Sequence, residues 1–186
     1  MNEEAININR SVIEACKKGN TLAQYTLYNQ YSKAMYNLAC RMMDSKEDAE
    51  DILQEAFTDA FKKLGSYRFE STFGAWLKTI VINRCINQLK KRKVEFISVR
   101  IPEKEELNNN VNENYTKEDI QKVNNAIEKL PHGYRVVFTL YLMEGYDHSE
   151  IAGILNISES TSKSQYMRAK SRLRNILSQE DLSWTT

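Results

Sequence analysis

Helix breakers are scarce in this sequence: 2 prolines and 6 glycines in 186 residues. So little punctuation argues against a strand-rich sandwich or barrel, which needs a turn every few residues, and predicts long helices. Cysteine is scarce too. Cys16, Cys40 and Cys85 are odd in number and far apart, and no pair has metal-ligand or redox spacing. His132 and His148 stand equally alone. All five therefore read as structural, with no metal site and no cofactor expected. No apolar run approaches the ~18 residues that span a bilayer. The opening MNEEAININR lacks the basic start and apolar stretch of a signal peptide, so a cytoplasmic protein is expected. Also missing are a phosphate-cradling glycine loop, a nucleophile with its base, and carboxylates paired in a pocket signature. These absences argue against an enzyme.

What is present is charge, sorted by sign. The net charge of +1 averages over three blocks. Residues 44–59 carry seven acids against Lys46, residues 62–100 carry ten bases against Glu70 and Glu95, and residues 163–174 carry five bases and no acid. One acidic and two basic surfaces imply at least two kinds of partner.

Apolar spacing organises these blocks into an all-α fold of two small helical domains. A short helix around Val12–Lys17 precedes a longer one over Leu22–Met43, with Leu27, Tyr31, Met35, Leu38 and Met42 at steps of three and four. From Ala49 a third helix places Ile52, Leu53, Ala56, Phe57, Ala60, Phe61 and Leu64 on one side and ends at Gly65. A fourth begins near Thr72, turns Trp76, Leu77, Ile80, Val81, Cys85 and Leu89 inward, and runs into KKRK. The first domain is thus expected over 10–94. Residues 95–116, with Pro102 and the stretch NNNVNENY, have the composition of a flexible linker. About 20 extended residues span up to roughly 70 Å. A second domain is expected over 117–178, beginning with a helix that carries Ile120, Val123, Ile127 and Leu130 and stops at Pro131. The next helix runs from about Gly133 to Met143 and ends at Gly145.

The last segments predict a helix-turn-helix: HSEIAGIL, the tight link NIS, then a long helix from near Glu159 with Ser158 as its N-cap. The small Ala152 suits a close helix crossing. In the long helix, Ser162, Tyr166, Ala169, Leu173 and Ile176 recur at inward spacing. Ser160, Lys163, Ser164, Met167 and Arg168 fall on another face, short, polar and cationic, as a helix entering a major groove requires. Lys170, Arg172 and Arg174 extend the charge toward the backbone of the duplex.

Taken together these segments resemble the extracytoplasmic-function sigma factors, which keep only conserved regions 2 and 4. DAEDILQEAFTDAFKKL is similar to region 2.2, and STFGAWLKTIVINRCINQLKKRK to regions 2.3 and 2.4. The segment from Leu130 to Leu177 is similar to region 4. The resemblance implies a subunit that binds core RNA polymerase and directs it to promoter DNA, helping to open the duplex. It places Asp48, Asp51, Gln54 and Glu55 against the polymerase, where carboxylates and an amide accept hydrogen bonds from arginines. It makes 67–72 the loop that captures an unstacked minus-ten base, with Asn83 at the matching polar position. Arg68, Arg84, Lys90, Lys91 and Arg92 are then phosphate contacts, Phe69 is a stacking ring, and Phe73 and Trp76 are read as core.

The minus-thirty-five element is expected to meet Ser160, Thr161, Lys163, Ser164, Met167 and Arg168. Ser160, Ser162 and Gln165 stand where the family commonly has glycine, valine and arginine, so its usual promoter sequence is not carried over. Two tethered readers bind more tightly than either alone, and two turns of B-DNA cover roughly 70 Å, within reach of the linker. The resemblance also implies an anti-sigma factor, commonly membrane-bound, that covers the polymerase-binding surfaces. A stand-alone helix-turn-helix regulator is the competing reading. It accounts for the C-terminal third and leaves the acidic and KKRK-ended helices unexplained.

Overall fold

The computed structural model describes residues 9–92 and 116–182, and these are helical with no strand among them. The chain divides into two compact units, Met1–Lys93 and Val94–Thr186. Most of the expected linker, 95–115, lies outside the described residues.

The N-terminal unit is built from α1 (Arg10–Lys17), α2 (Thr21–Met42), α3 (Lys46–Lys63), a 3-10 turn (Leu64–Ser66) and α4 (Phe73–Lys91). Short polar side chains start three of these helices. Asn20 Oδ1 accepts from the Ala23 N–H at 3.0 Å, Ser45 Oγ from Asp48 at 3.1 Å, and Thr72 Oγ1 from Ala75 at 3.2 Å. Each satisfies an amide donor that the first turn leaves open, typically worth about 1 kcal/mol. The apolar spacing then decides which sides meet. Leu27, Ala39 and Met42 of α2, Ala49, Ala56 and Ala60 of α3, and Leu77, Val81 and Cys85 of α4 are fully buried. Alanines at these crossings bring the helix axes close, and larger residues beside them fill the gaps. Because α4 packs on both α2 and α3, its buried arc is wider than its spacing predicts. Ile82 and Ile86 are buried as well, whereas Trp76 and Ile80 stay half-exposed at its edge. Phe73 is core, as expected, and Phe61 is only half-buried.

The C-terminal unit comprises α5 (Lys117–Glu128), α6 (His132–Phe138) prolonged by a π-helical turn (Thr139–Met143), α7 (His148–Leu155) and α8 (Glu159–Leu182). Thr116, expected as the last linker residue, instead caps α5. Its Oγ1 accepts from the Asp119 N–H at 3.1 Å while Asp119 accepts from the Thr116 N–H at 2.9 Å. Only the C-terminal part of α5 reaches the core. Ile127 and Leu130 pack with Phe138 and Ala169, backed by Tyr134, Tyr166, Leu173 and Ile176. Ile120 and Val123, expected on the same inward face, are exposed.

All three cysteines lie in the N-terminal unit, and burial pushes the Cys85 thiol up to about 12, so thiol labelling reports on that unit alone. Leu77→Ala is expected to destabilise it by about 2–5 kcal/mol. Cys85 will then label at lower denaturant concentration than in the unsubstituted chain, and unchanged protection would show that Leu77 is not a keystone of this core.

Candidate nucleic-acid interface

The helix-turn-helix is assembled by local hydrogen bonds before any tertiary contact is considered. A capping box opens α7: Asp147 Oδ1 accepts from the Glu150 N–H and Glu150 Oε2 from the Asp147 N–H, both at 2.8 Å. The helix ends at Asn156, whose φ of 56° lies in the left-handed region that asparagine tolerates better than most side chains. Ser158 then caps α8, its Oγ accepting from the Thr161 N–H at 3.0 Å. His148 joins the two helices. Its Nδ1 lies 2.9 Å from Ser162 Oγ, and its ring stacks on Tyr141 at 4.2 Å and 9°. Burial, reinforced by the Lys163 charge, lowers its pKa below the ordinary histidine value. A neutral imidazole suits this packed position.

The inward face of α8 is as expected. Ser162 and Ala169 are fully buried, and Tyr166, Leu173 and Ile176 are half-buried against the core. On the other side, Ser160 and Lys163 are exposed, and Ser164, Met167 and Arg168 are half-buried. Lys163 Nζ is 2.7 Å from Glu159 Oε1, an exposed pair that an approaching phosphate can displace. Ser164 Oγ donates to the Thr161 carbonyl at 2.9 Å. Arg168 Nε and Nη2 are buried and find no acceptor among the described residues. Thr161 departs from its expected place. It is 8 % exposed, with Oγ1 2.7 Å from Ser158 Oγ, because the third helical position folds back against the cap. Gln165, at 1 % exposure, also points inward.

In the N-terminal unit the acidic and basic helices partly neutralise each other. Arg84 Nε donates to Asp59 Oδ2 at 2.8 Å, Nη2 donates to the same oxygen, and Nη1 reaches Glu55 Oε2 at 2.9 Å. Arg92 Nη1 donates to Asp48 Oδ2 at 2.7 Å. Arg92, then the Ser45 hydroxyl, holds the Asp48 carboxyl below the usual carboxylate range, and Arg84 does the same for Asp59. Four expected contact residues, Asp48, Glu55, Arg84 and Arg92, are thus engaged within the unit. Asp51, Gln54, Asn83, Lys90 and Lys91 are exposed. An open groove of about 410 Å³ between α2 and α3 is lined by Tyr28, Tyr36, Leu53 and the polar Ser32, Lys33, Glu50 and Gln54.

The connection from α3 to α4 is anchored by Tyr67, which spacing alone does not single out. It is 4 % exposed, its hydroxyl donates to the Ser71 carbonyl at 2.6 Å, and its ring touches Phe69, Phe73 and Trp76. Arg68 is exposed. Phe69 has φ of 60°, a left-handed conformation that costs a bulky residue about 1–3 kcal/mol and persists only where surroundings enforce it. Its half-buried ring lies 5.0 Å from Arg10 Cζ and 4.7 Å from Lys17 Nζ.

Comparison with known proteins matches the two units separately. The Sigma-70 region 2 family corresponds to residues 27–94 and the Sigma-70 region 4 family to residues 120–173. The ECF RNA polymerase sigma factor SigW of Bacillus subtilis is 31% identical, over 89% of this chain and 94% of its own. The ECF RNA polymerase sigma-E factor of Escherichia coli is 31% identical, over 88% and 91%. SigM of Mycobacterium tuberculosis is 28% identical, over 91% and 84%. Among solved structures, the sigma factor RpoE in complex with the anti-sigma factor NepR from Bartonella quintana has a similar fold. Its TM-score is 0.52 at 24% identity, covering 83% of this chain and 96% of that one.

The carboxylate pairing has a pH signature. Asp48 and Asp59 titrate lower folded than unfolded, so their contribution is present above about pH 4 and is lost as pH falls through the depressed folded values. With Asp48→Asn and Asp59→Asn combined, the melting temperature should drop at pH 7 and lose less on acidification than that of the unsubstituted chain. Parallel acid profiles for the two proteins would show that the pairs do not persist in solution.

Proposed function

The chain belongs to the extracytoplasmic-function sigma factors, which direct transcription initiation by RNA polymerase, and from that membership we propose how its two units divide the task. In the C-terminal unit, α8 lies in the major groove of the minus-thirty-five element and presents Ser160, Lys163, Ser164, Met167 and Arg168. The observation that carries this is the division of α8: one side is consumed by the core and by His148, and the other is polar and cationic. Ser158 and Thr161 hold the helix start in place.

In the N-terminal unit, the α3 surface with Asp51, Gln54 and Glu55 accepts the polymerase, the adjoining groove receiving apolar side chains of that partner. Asp48 serves mainly to close the Ser45 cap and hold Arg92. The loop 67–72 with Arg68 and Phe69, and the α4 surface with Asn83, Lys90 and Lys91, takes the minus-ten strand as it separates. Opening a duplex costs stacking and pairing, so stacking rings and phosphate-binding cations must replace what is lost. Arg84 and Arg92 join this surface when their carboxylate partners are drawn away. The polymerase performs the chemistry, and the chain itself is no enzyme. Its place of work is the cytoplasm, where chromosome and polymerase are. The structure of the sigma factor RpoE in complex with the anti-sigma factor NepR supports an anti-sigma partner for this chain too. A stand-alone regulator would leave the paired charged helices without a purpose.

The test is transcription in vitro with purified core polymerase and fragmented genomic DNA. Discrete new start sites sharing two upstream motifs at fixed spacing are expected. No new starts, with tight DNA binding in the absence of polymerase, would transfer the protein to the stand-alone regulators. Asp51→Arg isolates the polymerase contact, because Asp51 is exposed and, unlike Glu55, does not pair with Arg84. It should weaken polymerase binding about tenfold or more with helicity unchanged. Undiminished binding would remove α3 from that interface.

A further inference from the structure

The segment matched by the region 2 family begins at residue 27, and α1 lies entirely before it. Yet α1 meets the loop 67–72 through specific chemistry. Asn9 Nδ2 donates to Tyr31 Oη at 2.7 Å, fixing the start of α1 against α2. At the other end Lys17 Nζ donates to the Tyr67 carbonyl at 3.2 Å and to Glu14 at 3.3 Å. Between these ties, Arg10 and Lys17 both approach the ring of Phe69.

Two features here are poor choices for folding alone. Phe69 holds a backbone conformation that bulky residues avoid. Arg10 is the first residue of α1, where a cation opposes the helix dipole, and the first turn has no acid to offset it. Strained and electrostatically unfavourable residues that coincide at one spot point to use by a partner. The chemistry of that partner follows from the groups exposed. A guanidinium over an aromatic ring keeps its N–H edge available for a bidentate acceptor. Arg10 is exposed, as is Arg68, and no carboxylate among the described residues forms an ion pair with Arg10.

We propose that α1 forms part of the single-strand DNA site, with Arg10 binding the phosphate next to the nucleotide that the loop 67–72 captures. Lys17 is a positioning residue: it bonds the Tyr67 carbonyl and borders the Phe69 ring, presetting the loop before DNA arrives. The inference rests on the reading of that loop as the minus-ten site. It extends the site to a helix outside the family-matched segment.

The experiment uses the full chain assembled with core polymerase. The probe is a labelled fork-junction DNA whose single strand carries the downstream of the two motifs recovered from the transcript starts. Affinity is measured across about 50–200 mM salt. Arg10→Met is expected to weaken binding about 5- to 10-fold at the low end and to reduce the slope of log affinity against log salt by about 0.7, one single-strand phosphate contact. Arg10→Lys should restore the slope and part of the affinity, and polymerase binding should be unchanged in both. Arg68→Met is the benchmark within the loop. If Arg68→Met lowers affinity and slope while Arg10→Met changes neither, α1 is not part of the site and the proposal fails, with the reading of the loop intact. Weaker binding at an unchanged slope would also overturn the phosphate contact, leaving Arg10 a support for Phe69. If neither variant matters while transcription proceeds normally, the loop itself does not hold the strand and the proposal falls with that assignment.

Discussion

A guanidinium that reaches from α4 to two carboxylates on α3 governs what the N-terminal unit can offer to anything else. Arg84 lies between Asp59 and Glu55, and one helix end away Arg92 engages Asp48. Without these pairs, a strongly acidic helix and a strongly basic one would present their full charge to solvent from adjoining positions. With them, part of that charge is matched within the unit, while Glu47, Glu50 and Asp51 on one side and Lys90 and Lys91 on the other remain exposed. Pairs this accessible contribute little to stability, because solvent screens them. That modest strength makes them exchangeable: a polymerase arginine or a DNA phosphate can take the place of either partner. The packing of α3 against α4 supplies the proximity, and the charges determine which contacts remain open.

The C-terminal unit solves a different problem, holding one long helix at a defined angle with little core to do it. Its means are mostly polar. Two caps, a left-handed Asn156 and the link from His148 to Ser162 set the turn, and the Tyr141–His148–Tyr166 ring cluster fills the space beneath. Burial and the nearby Lys163 charge disfavour a charged imidazole at His148.

Much of this was legible in the sequence because it is encoded locally. Steps of three and four residues located the helices within about three residues, and Ser158 announced its cap. What could not be read depends on residues distant in the chain. The Arg84–Asp59 pair spans 25 positions, and nothing in either segment's spacing indicates it. Ile120 and Val123 belong to a well-formed apolar stripe, yet only the far end of their helix finds a partner. Thr161, set toward the DNA by the family resemblance and not by the helical wheel, is instead held against the cap by its hydrogen bond to Ser158. The backbone conformation of Phe69 carried no signal. A phenylalanine is among the last residues one would assign a positive φ, and its ring meets Tyr67, two residues away, and Arg10 and Lys17, brought in by α1.

The division of α8 into a committed and an uncommitted side has a bearing on how such a protein changes over generations. Ser162, Gln165 and Ala169 are locked into the core, and the cap and the αL turn tolerate few alternatives. Among the described residues, the hydrogen bond of Ser160 and the ion pair of Lys163 reach only neighbours within one turn, and the Lys163 charge also acts on His148. Substitution there leaves the scaffold's stability nearly untouched, since exposed helix positions rarely matter by more than about 0.5 kcal/mol. Under the DNA-reading role proposed for α8, a lineage can therefore retarget this helix by drift at a few surface positions, without first passing through a misfolded intermediate. Ser160, which stands where the family resemblance implies glycine, lies on that exposed side, whereas Ser162 and Gln165 are buried.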